Sequence, residues 1–480
     1  MLVFWSALSA LGYAGPPTCG TLELFEPVEP PVEFPVVYGL DLQQRDAYHA
    51  PNVMLGEHVA VRWGDDTFLD PADIQGVVDL FETAWEFEFG VMGHSVPHRS
   101  DEYYFNVYIG DTGEGIPPGH GHGGYYISDS ERWPMIVVAE ATVASSDLRT
   151  VVAHELYHAA QSAEGSFPRS SINANSWYWE ATASWVVPLV FPDDARHAQR
   201  LYSYAMLPHF RLDHFGQPGT GGLAESYSYG AFIFAAHLQD VTGGWEIIRD
   251  SWRDDRGAPS AVETLRILLD ERGVDFDEVW LDHIARTATW DYPQGDVYRD
   301  TLLARLGPDQ HLGLVAGELP ALGSEDWRTV EAELLPRQYG YNILRLGEPE
   351  VGTYTVDLRA DGTNEMGRAA RFGARLVVVR SDGTVTYTPF DSFDREASVQ
   401  TQVGRDVSEI IVVVGAWTEQ ALFPTSQETF PYSYRVGFSR ENIDSNPETG
   451  GCGCAGAGDG GPWLLGLPGL VLVARRRRRA

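Results

Sequence analysis

The sequence predicts an α+β domain with a mixed sheet and a helical second half, followed by an all-β sandwich domain. Strand and helix patterns alternate early in the chain, residues from about 175 to 306 carry mostly helical periodicity, and short apolar runs separated by Gly, Asp and Pro fill residues 327–439. At 480 residues the chain is also too long for one ordinary core, which favours more than one domain.

The early elements follow a strand, helix, strand, strand order. The run "HVAVRWG" alternates apolar and polar residues, as a half-buried strand does. Asp70 and Pro71 are a favoured N-cap and first helical residue. The apolar residues that follow at helical spacing are Ile74, Val78, Phe81 and Trp85. The runs "YYFNVYIGD" and "PMIVVAEAT" predict two further strands, which completes an α+β order.

The last third of the chain is rich in short strand patterns. They are "YGYNILRL", "TYTVDLRA", "ARLVVVRSDGTVTYTPF", "EIIVVVGAW" and "YSYRVGF". Ser381, Asp382 and Gly383 form a typical hairpin turn within the third run. This spacing predicts a β-sandwich.

Both ends of the chain differ from the rest. The apolar start, with Gly12 and Ala14 in a small-x-small pattern, predicts an export signal, the alternative being a buried strand. Near the other end, Cys452 and Cys454 precede the apolar run "PWLLGLPGLVLVA" and an arginine cluster that ends at Arg479. This tail resembles the myxobacterial MYXO-CTERM surface-sorting signals, which implies export, processing near the cysteines and display on the cell surface. A plain tail anchor is the alternative.

These patterns divide the chain into five predicted parts. They are a signal peptide at 1–14, a Pro-rich linker or short pro-segment at 15–36, the α+β domain at 37–310, the β-sandwich domain at 325–440, and a Gly-rich linker with a C-terminal sorting tail at 441–480.

Charge and cysteine content narrow the function. A formal net charge of -34 repels phosphate backbones, so no nucleic-acid partner is expected. The three cysteines, Cys19, Cys452 and Cys454, lie outside the long interior. A metal bound there would therefore use His, Asp and Glu.

The stretch "VVAHELYHAAQ" carries the main candidate site. On a helix, His154 and His158 lie on one face, four residues apart, where two imidazoles can bind one metal ion. Glu155 can then reach a water on that ion. The other face carries Val152 and Leu156, which would bury the helix. The alternative is an ordinary helix with two incidental histidines.

A catalytic zinc ion needs a third protein ligand, and two residues compete for that role. Glu164 stands where an elongated HExxHxxGxxH motif has its third ligand, but Gln161 replaces the glycine that lets the chain turn. Glu180 lies in "NSWYWEATASWVV", a second helical pattern. A glutamate among tryptophans and alanines is costly to bury unless it is paired or bound to metal, so Glu180 is favoured.

With "HELYHAAQ" and "WYWEATASW", the chain resembles the gluzincin class of secreted zinc metallopeptidases from about Val59 to His237. The resemblance implies a zincin-like metallopeptidase domain in which His154, His158 and Glu180 bind one catalytic Zn²⁺ and Glu155 is the general base. Thermolysin-like members have an Asp four residues after the ligand Glu. Here that position is Ser184, which leaves the partner of the zinc-binding histidine unassigned.

Weaker signals surround this motif. Tyr227, Tyr229 and His237 are candidate oxyanion donors, with core roles as the alternative. His120 and His122 lie in a Gly-rich loop that predicts a second metal site, a lid or, more simply, a surface loop. The run "MIVVAEAT" is a candidate edge strand for a peptide substrate. The run "RADGTNE" could hold Ca²⁺, although EF-hand spacing is absent.

Two hypotheses for the function follow. The first is a zinc endopeptidase, displayed on the cell surface (outer membrane) or extracellular, which acts on protein or peptide substrates. It would meet the membrane only through its tail before processing, and a sorting or processing protease would act on that tail. The second is a non-enzymatic adhesin or binding protein whose zinc helix is structural or degenerate.

Overall fold

A five-stranded mixed sheet forms the N-terminal part of the computed structural model. The structure describes residues 42–440 except 47, 122, 129–132, 168–173, 217–219, 255, 309, 361, 365 and 419–425. The predicted signal peptide, the linker and the sorting tail lie outside the described residues. All described residues belong to one compact unit that ends at Arg440.

The strands of this sheet are β1 (Asn52–Leu55), β2 (Val59–Trp63), β3 (Phe105–Gly110), β4 (Gly124–Ser128) and β5 (Pro134–Ala139), in the order β1-β2-β3-β5-β4. Strands β2, β3 and β5 run parallel, whereas β1 and β4 are antiparallel to their neighbours. The run "MIVVAEAT" therefore supplies the internal strand β5 rather than the edge, and the edge prediction is wrong. Every residue of β5 is buried, as its continuous apolar run requires, and β4 takes the edge.

Helix α1 (Pro71–Trp85) forms as the sequence predicts. The Asp70 side chain accepts hydrogen bonds from the amides of Ala72 and Asp73, and Asp73 completes a capping box. The predicted apolar residues Ile74, Val78, Phe81 and Trp85 are all buried, and Val77 and Ala84 are buried with them. A π-helical turn, Glu86–Val91, continues the helix.

Helices dominate the next part of the chain, as predicted. They are α2 (Glu140–Val143), α3 (Leu148–Glu164), α4 (Ser176–Val190), α5 (Leu201–Met206), α6 (Leu223–Gly230), α7 (Phe232–Thr242), α8 (Glu246–Arg253), α9 (Ala261–Asp270), α10 (Phe276–Thr287) and α11 (Gly295–Leu306). A 3₁₀ helix, Ala195–Arg200, precedes α5. Helix α3 is capped at its C-terminus by Gly165, whose positive φ of 76° suits glycine. Within the described part of the chain, none of the helices combines the length and apolarity needed to cross a membrane.

Two sheets made of short strands follow the helices. The six-stranded sheet contains β6 (Gly317–Glu318), β8 (Gly340–Gly347), β10 (Arg371–Arg380), β11 (Val385–Tyr387), β12 (Asp391–Phe393) and β14 (Val407–Trp417). The four-stranded sheet contains β7 (Ser324–Thr329), β9 (Gly352–Ala360), β13 (Glu396–Val403) and β15 (Tyr432–Ser439). Both sheets contribute to one apolar core. The described chain is thus a mixed α/β protein, and none of its sheets closes into a barrel.

The six-stranded sheet is buried on both faces. In β14, Ile410 and Val412 face the core shared with the four-stranded sheet, whereas Ile411 and Val413 join the core of the helical part. This explains why "IIVVV" is continuously apolar while β13 alternates between buried and exposed residues.

Two glycines let α10 approach this sheet closely. Gly373 and Gly415 are cross-strand partners in β10 and β14. A Cβ atom on Gly415 would lie 2.2 Å from a ring carbon of Trp280, and one on Gly373 would lie 2.3 Å from a methyl carbon of Leu281. The missing side chains thus make the groove that receives α10.

We expect Gly415→Ala to lower the free energy of unfolding by about 1–3 kcal/mol, because overpacking forces buried neighbours to shift. Gly437→Ala is the matched control, since its Cβ would meet nothing closer than 3.7 Å. Urea unfolding of both variants measures the difference. Equal effects at the two positions would contradict this account of the groove.

Candidate metal site

Helices α3 and α4 bring three metal-type ligands together. One ligand atom from each of His154, His158 and Glu180 lies within 4.8 Å of the others. His154 Nε2 is 3.1 Å from Glu180 Oε2, and His158 Nε2 is 3.8 Å from Glu180 Oε1. The three residues are 1%, 0% and 1% exposed. This buried group could hold a metal ion.

The distances from the Glu180 oxygens to the two imidazole nitrogens are close to those around a small divalent ion. Ligand atoms about 2.0–2.2 Å from a tetrahedral zinc ion lie about 3.3–3.6 Å from one another. The observed separations of 3.1 and 3.8 Å lie on either side of that range. Of the two glutamates that compete in the sequence, Glu180 is the one in the cluster.

Gln161 orients the ring of His158. Its Nε2 donates to the Trp179 carbonyl at 2.9 Å and to Thr182 Oγ1 at 2.8 Å. Because a carbonyl can only accept, this pair of bonds fixes the amide so that Oε1 faces His158 Nδ1, 2.6 Å away. His158 Nδ1 therefore carries the proton, and the lone pair of Nε2 points to the cluster side of the ring.

His154 has a different set of partners. Its Nδ1 is 3.4 Å from Ser184 Oγ, and the ring also forms a hydrogen bond with the backbone of Ala183. Burial lowers the pKa of His154 well below its usual value, and the nearby charge of Arg200 lowers it further. The ring is therefore neutral at pH 7, as metal binding requires.

Glu155 lies on the side of helix α3 that faces the edge strand β4. It is buried, and a Cβ atom on Gly124 of β4 would be 3.3 Å from its Cγ and 2.7 Å from a methyl carbon of Val151. Only glycine lets β4 pass this close to α3. The residue adjacent to His154 is thus placed beside the edge of the sheet.

Glu164 performs a structural role at the end of α3. Its carboxylate accepts hydrogen bonds from His94 Nδ1 at 3.1 Å, from the Ser95 amide at 2.8 Å and from Arg253 Nε at 3.0 Å. Burial alone would raise the pKa of Glu164, but these bonds outweigh it and lower the pKa to about 2. The carboxylate therefore anchors the loop after α1 and helix α8 to α3.

Of the predicted oxyanion donors, Tyr229 contacts the cluster. Its ring stacks on that of His154, with centroids 5.7 Å apart. Tyr227 instead packs against Tyr204 and Phe210, and His237 packs against His283 in a separate buried group.

The remaining predicted ligands are not part of the cluster. His120 packs near Tyr125 and is absent from the metal-type group found among the described residues, while His122 lies outside them. In the predicted calcium loop, Asp361 and Glu365 also lie outside the described residues, and the Asn364 amide binds Glu428 instead.

Sequence reasoning missed the roles of Gln161 and Arg200. Gln161 follows His158 by three residues and so shares its helix face, a signal that could have identified it. Arg200 comes from a different element, and nothing in the linear sequence connects it with His154.

Comparisons with known proteins place the chain in a family. A family model described as a family of unknown function, DUF6055, matches residues 40–443. No curated protein matches the chain. A crystal structure from Sulfurospirillum deleyianum matches at 7% identity and a TM-score of 0.17, over 24% of this chain and 99% of that one. A family GH115 4-O-methyl-α-glucuronidase matches at 9% identity and a TM-score of 0.13, over 64% of this chain and 46% of that one. At these TM-scores neither likeness indicates a shared fold.

Replacing Gln161 with Leu should lower zinc affinity by about 10–100-fold, because His158 loses the partner that sets its protonation and orientation. Competition with a chromophoric chelator measures the affinity. Gln239→Leu is the control. Gln239 of α7 also forms a hydrogen bond with α4, because it accepts one from Trp185, but it does not touch the cluster. Unchanged affinity in the Gln161 variant would contradict the assigned role.

The lowered pKa of Glu164 predicts a pH-dependent loss in Glu164→Gln. Because the folded pKa is depressed to about 2, the ionised carboxylate stabilises the fold fully above its ordinary pKa of 4.5, and this contribution is lost as pH falls towards 2. The variant should therefore melt below wild type at pH 6 and converge with it near pH 2. Glu102→Gln, which removes an exposed ion pair with Arg99, should have little effect at any pH.

Proposed function

Because the chain belongs to DUF6055, a family of unknown function, its activity has to be argued from its own site, and we propose that it is a zinc-dependent endopeptidase. The main support is the buried group of His154, His158 and Glu180, with Glu155 next to His154 on helix α3. A purely structural metal ion has no use for a buried carboxylate placed beside its ligands, whereas hydrolysis does.

The donor set favours zinc. Two imidazoles and one carboxylate are the ligands of a His₂Glu catalytic site, and three protein ligands leave a fourth position open. Calcium and magnesium prefer all-oxygen surroundings. The neutral His154 and the oriented His158 both offer a nitrogen lone pair, which supports the same choice.

Glu155 supplies the proton transfers. When bound, a zinc ion would polarise the scissile carbonyl and acidify water. The Glu155 carboxylate accepts a proton from the attacking water and returns it to the leaving amine nitrogen. Tyr229, stacked on His154, is the candidate to donate a hydrogen bond to the developing oxyanion.

Strand β4 is the proposed place for an extended peptide substrate. It lies at the sheet edge, antiparallel to β5, and an added peptide strand can pair with such an edge. The close approach that Gly124 permits would bring that peptide next to Glu155.

The proposal includes export. The apolar start and the Cys-containing, arginine-ended tail of the sequence support a surface-displayed or extracellular protein. A processing protease would act on that tail.

The deciding experiment uses the full chain and Glu155→Gln. Wild type should contain one zinc ion per chain and cleave casein, with activity lost on chelation and restored by zinc. Glu155→Gln should retain zinc and lose about 10²–10⁴-fold in kcat/KM, because the general base is gone.

Glu88→Gln is the matched control. Glu88 is equally buried but lies in the π-helical turn after α1, so this variant should keep its activity. If Glu155→Gln cleaves casein with the kcat/KM of wild type, the proposal is wrong. Zinc binding without cleavage of unfolded protein would favour the binding-protein alternative.

A further inference from the structure

Arg200 is a buried cation beside the metal-type cluster. It ends the 3₁₀ helix Ala195–Arg200 and is 4% exposed. The sequence has 68 acidic residues and 34 basic ones, yet no carboxylate of the described residues forms an ion pair with Arg200. The comparably buried Arg62 and Arg211 pair with Asp46 and Asp213.

The guanidinium reaches both side chains that flank His154. Its Nη1 donates a long hydrogen bond to Ser184 Oγ at 3.5 Å, and that oxygen is 3.4 Å from His154 Nδ1. Its central carbon lies 4.7 Å from the ring centroid of Tyr229, which stacks on His154. Arg200 therefore touches the surroundings of one ligand without touching the ligand atoms.

The side chain behind His154 is unusual for a metal site. Metal-binding histidines commonly have a carboxylate behind them, and that carboxylate strengthens the ligand. Here a hydroxyl replaces the carboxylate and is hydrogen-bonded to a cation. The charge behind His154 is thus reversed.

Burying an unpaired charge is costly, so the fold must gain something from it. The guanidinium stands behind His154, one side chain away through Ser184. A divalent ion held by His154 would therefore lie close to a positive charge, and like charges repel most strongly in a buried site. Arg200 therefore opposes the binding of the ion it sits beside.

We propose that Arg200 is a positioning residue that gives the metal site a cationic surrounding behind His154 and lowers its affinity for a divalent ion. The inference rests on the proposed function for its consequence. A zinc ion bound at this site would be less neutralised by its surroundings and would polarise a substrate carbonyl more strongly.

The test is zinc affinity of the full chain, measured by chelator competition at pH 7.5. Arg200→Gln removes the charge but keeps a hydrogen-bond donor, and should bind zinc at least about tenfold more tightly, because a positive charge one side chain behind the ligand repels a divalent ion. Arg200→Lys keeps the charge and should stay within about twofold of wild type. A merely structural arginine would weaken binding in both variants.

Arg196→Gln is the matched control, because it removes a cation from the same 3₁₀ helix that is already paired with Asp194. Its zinc affinity should be unchanged. If Arg200→Gln does not fold, Ser184→Asp provides the second test. Its carboxylate should pair with Arg200 and tighten zinc binding.

Equal or weaker zinc binding in Arg200→Gln, or in Ser184→Asp, overturns the inference. Zinc affinity is measured without hydrolysis. If the wild-type chain cleaves casein and Arg200→Gln binds zinc as tightly as wild type does, only the inference about Arg200 fails. A wild-type chain that binds no zinc removes the proposed function as well.

Discussion

The packing of α3 on α4 is the contact on which the site depends. Both pairs that include Glu180 span it, because His154 and His158 come from α3 and Glu180 from α4. Gln161 crosses the same interface to the backbone of Trp179. Small buried residues such as Ala181 and Ala183 allow the close approach, so loss of this packing would separate the ligands and their orienting partners together.

The buried polar groups around this contact give the two histidines different environments. His158 is held by an amide whose own bonds are determined by a backbone carbonyl, whereas His154 is backed by a hydroxyl and a cation. In a low-dielectric interior such differences are amplified, since neighbouring charges are poorly screened. The two histidines, identical in the motif, therefore differ in what stands behind them.

Much of the fold was predictable because local chemistry and burial agreed. Asp70 and Pro71 mark a helix start, and α1 begins at Pro71 with Asp70 as its cap. The edge prediction for β5 was wrong because the preceding run "GYYIS", which was not predicted as a strand, forms β4, pairs with β5 and takes the edge. The close packing of α10 on β10 and β14 was likewise invisible, since Gly373 and Gly415 acquire their role only as partners across two strands.

By itself, the sequence determined the helix that carries His154, Glu155 and His158, because residues four apart on an α-helix share a face whatever packs around it. Burial cost also favoured Glu180 as the third member, since a carboxylate among tryptophans needs a partner. Only the tertiary structure excluded Glu164, by giving its carboxylate other donors, and brought Arg200 to Ser184. Such contacts join elements far apart in the chain, and no local period encodes them.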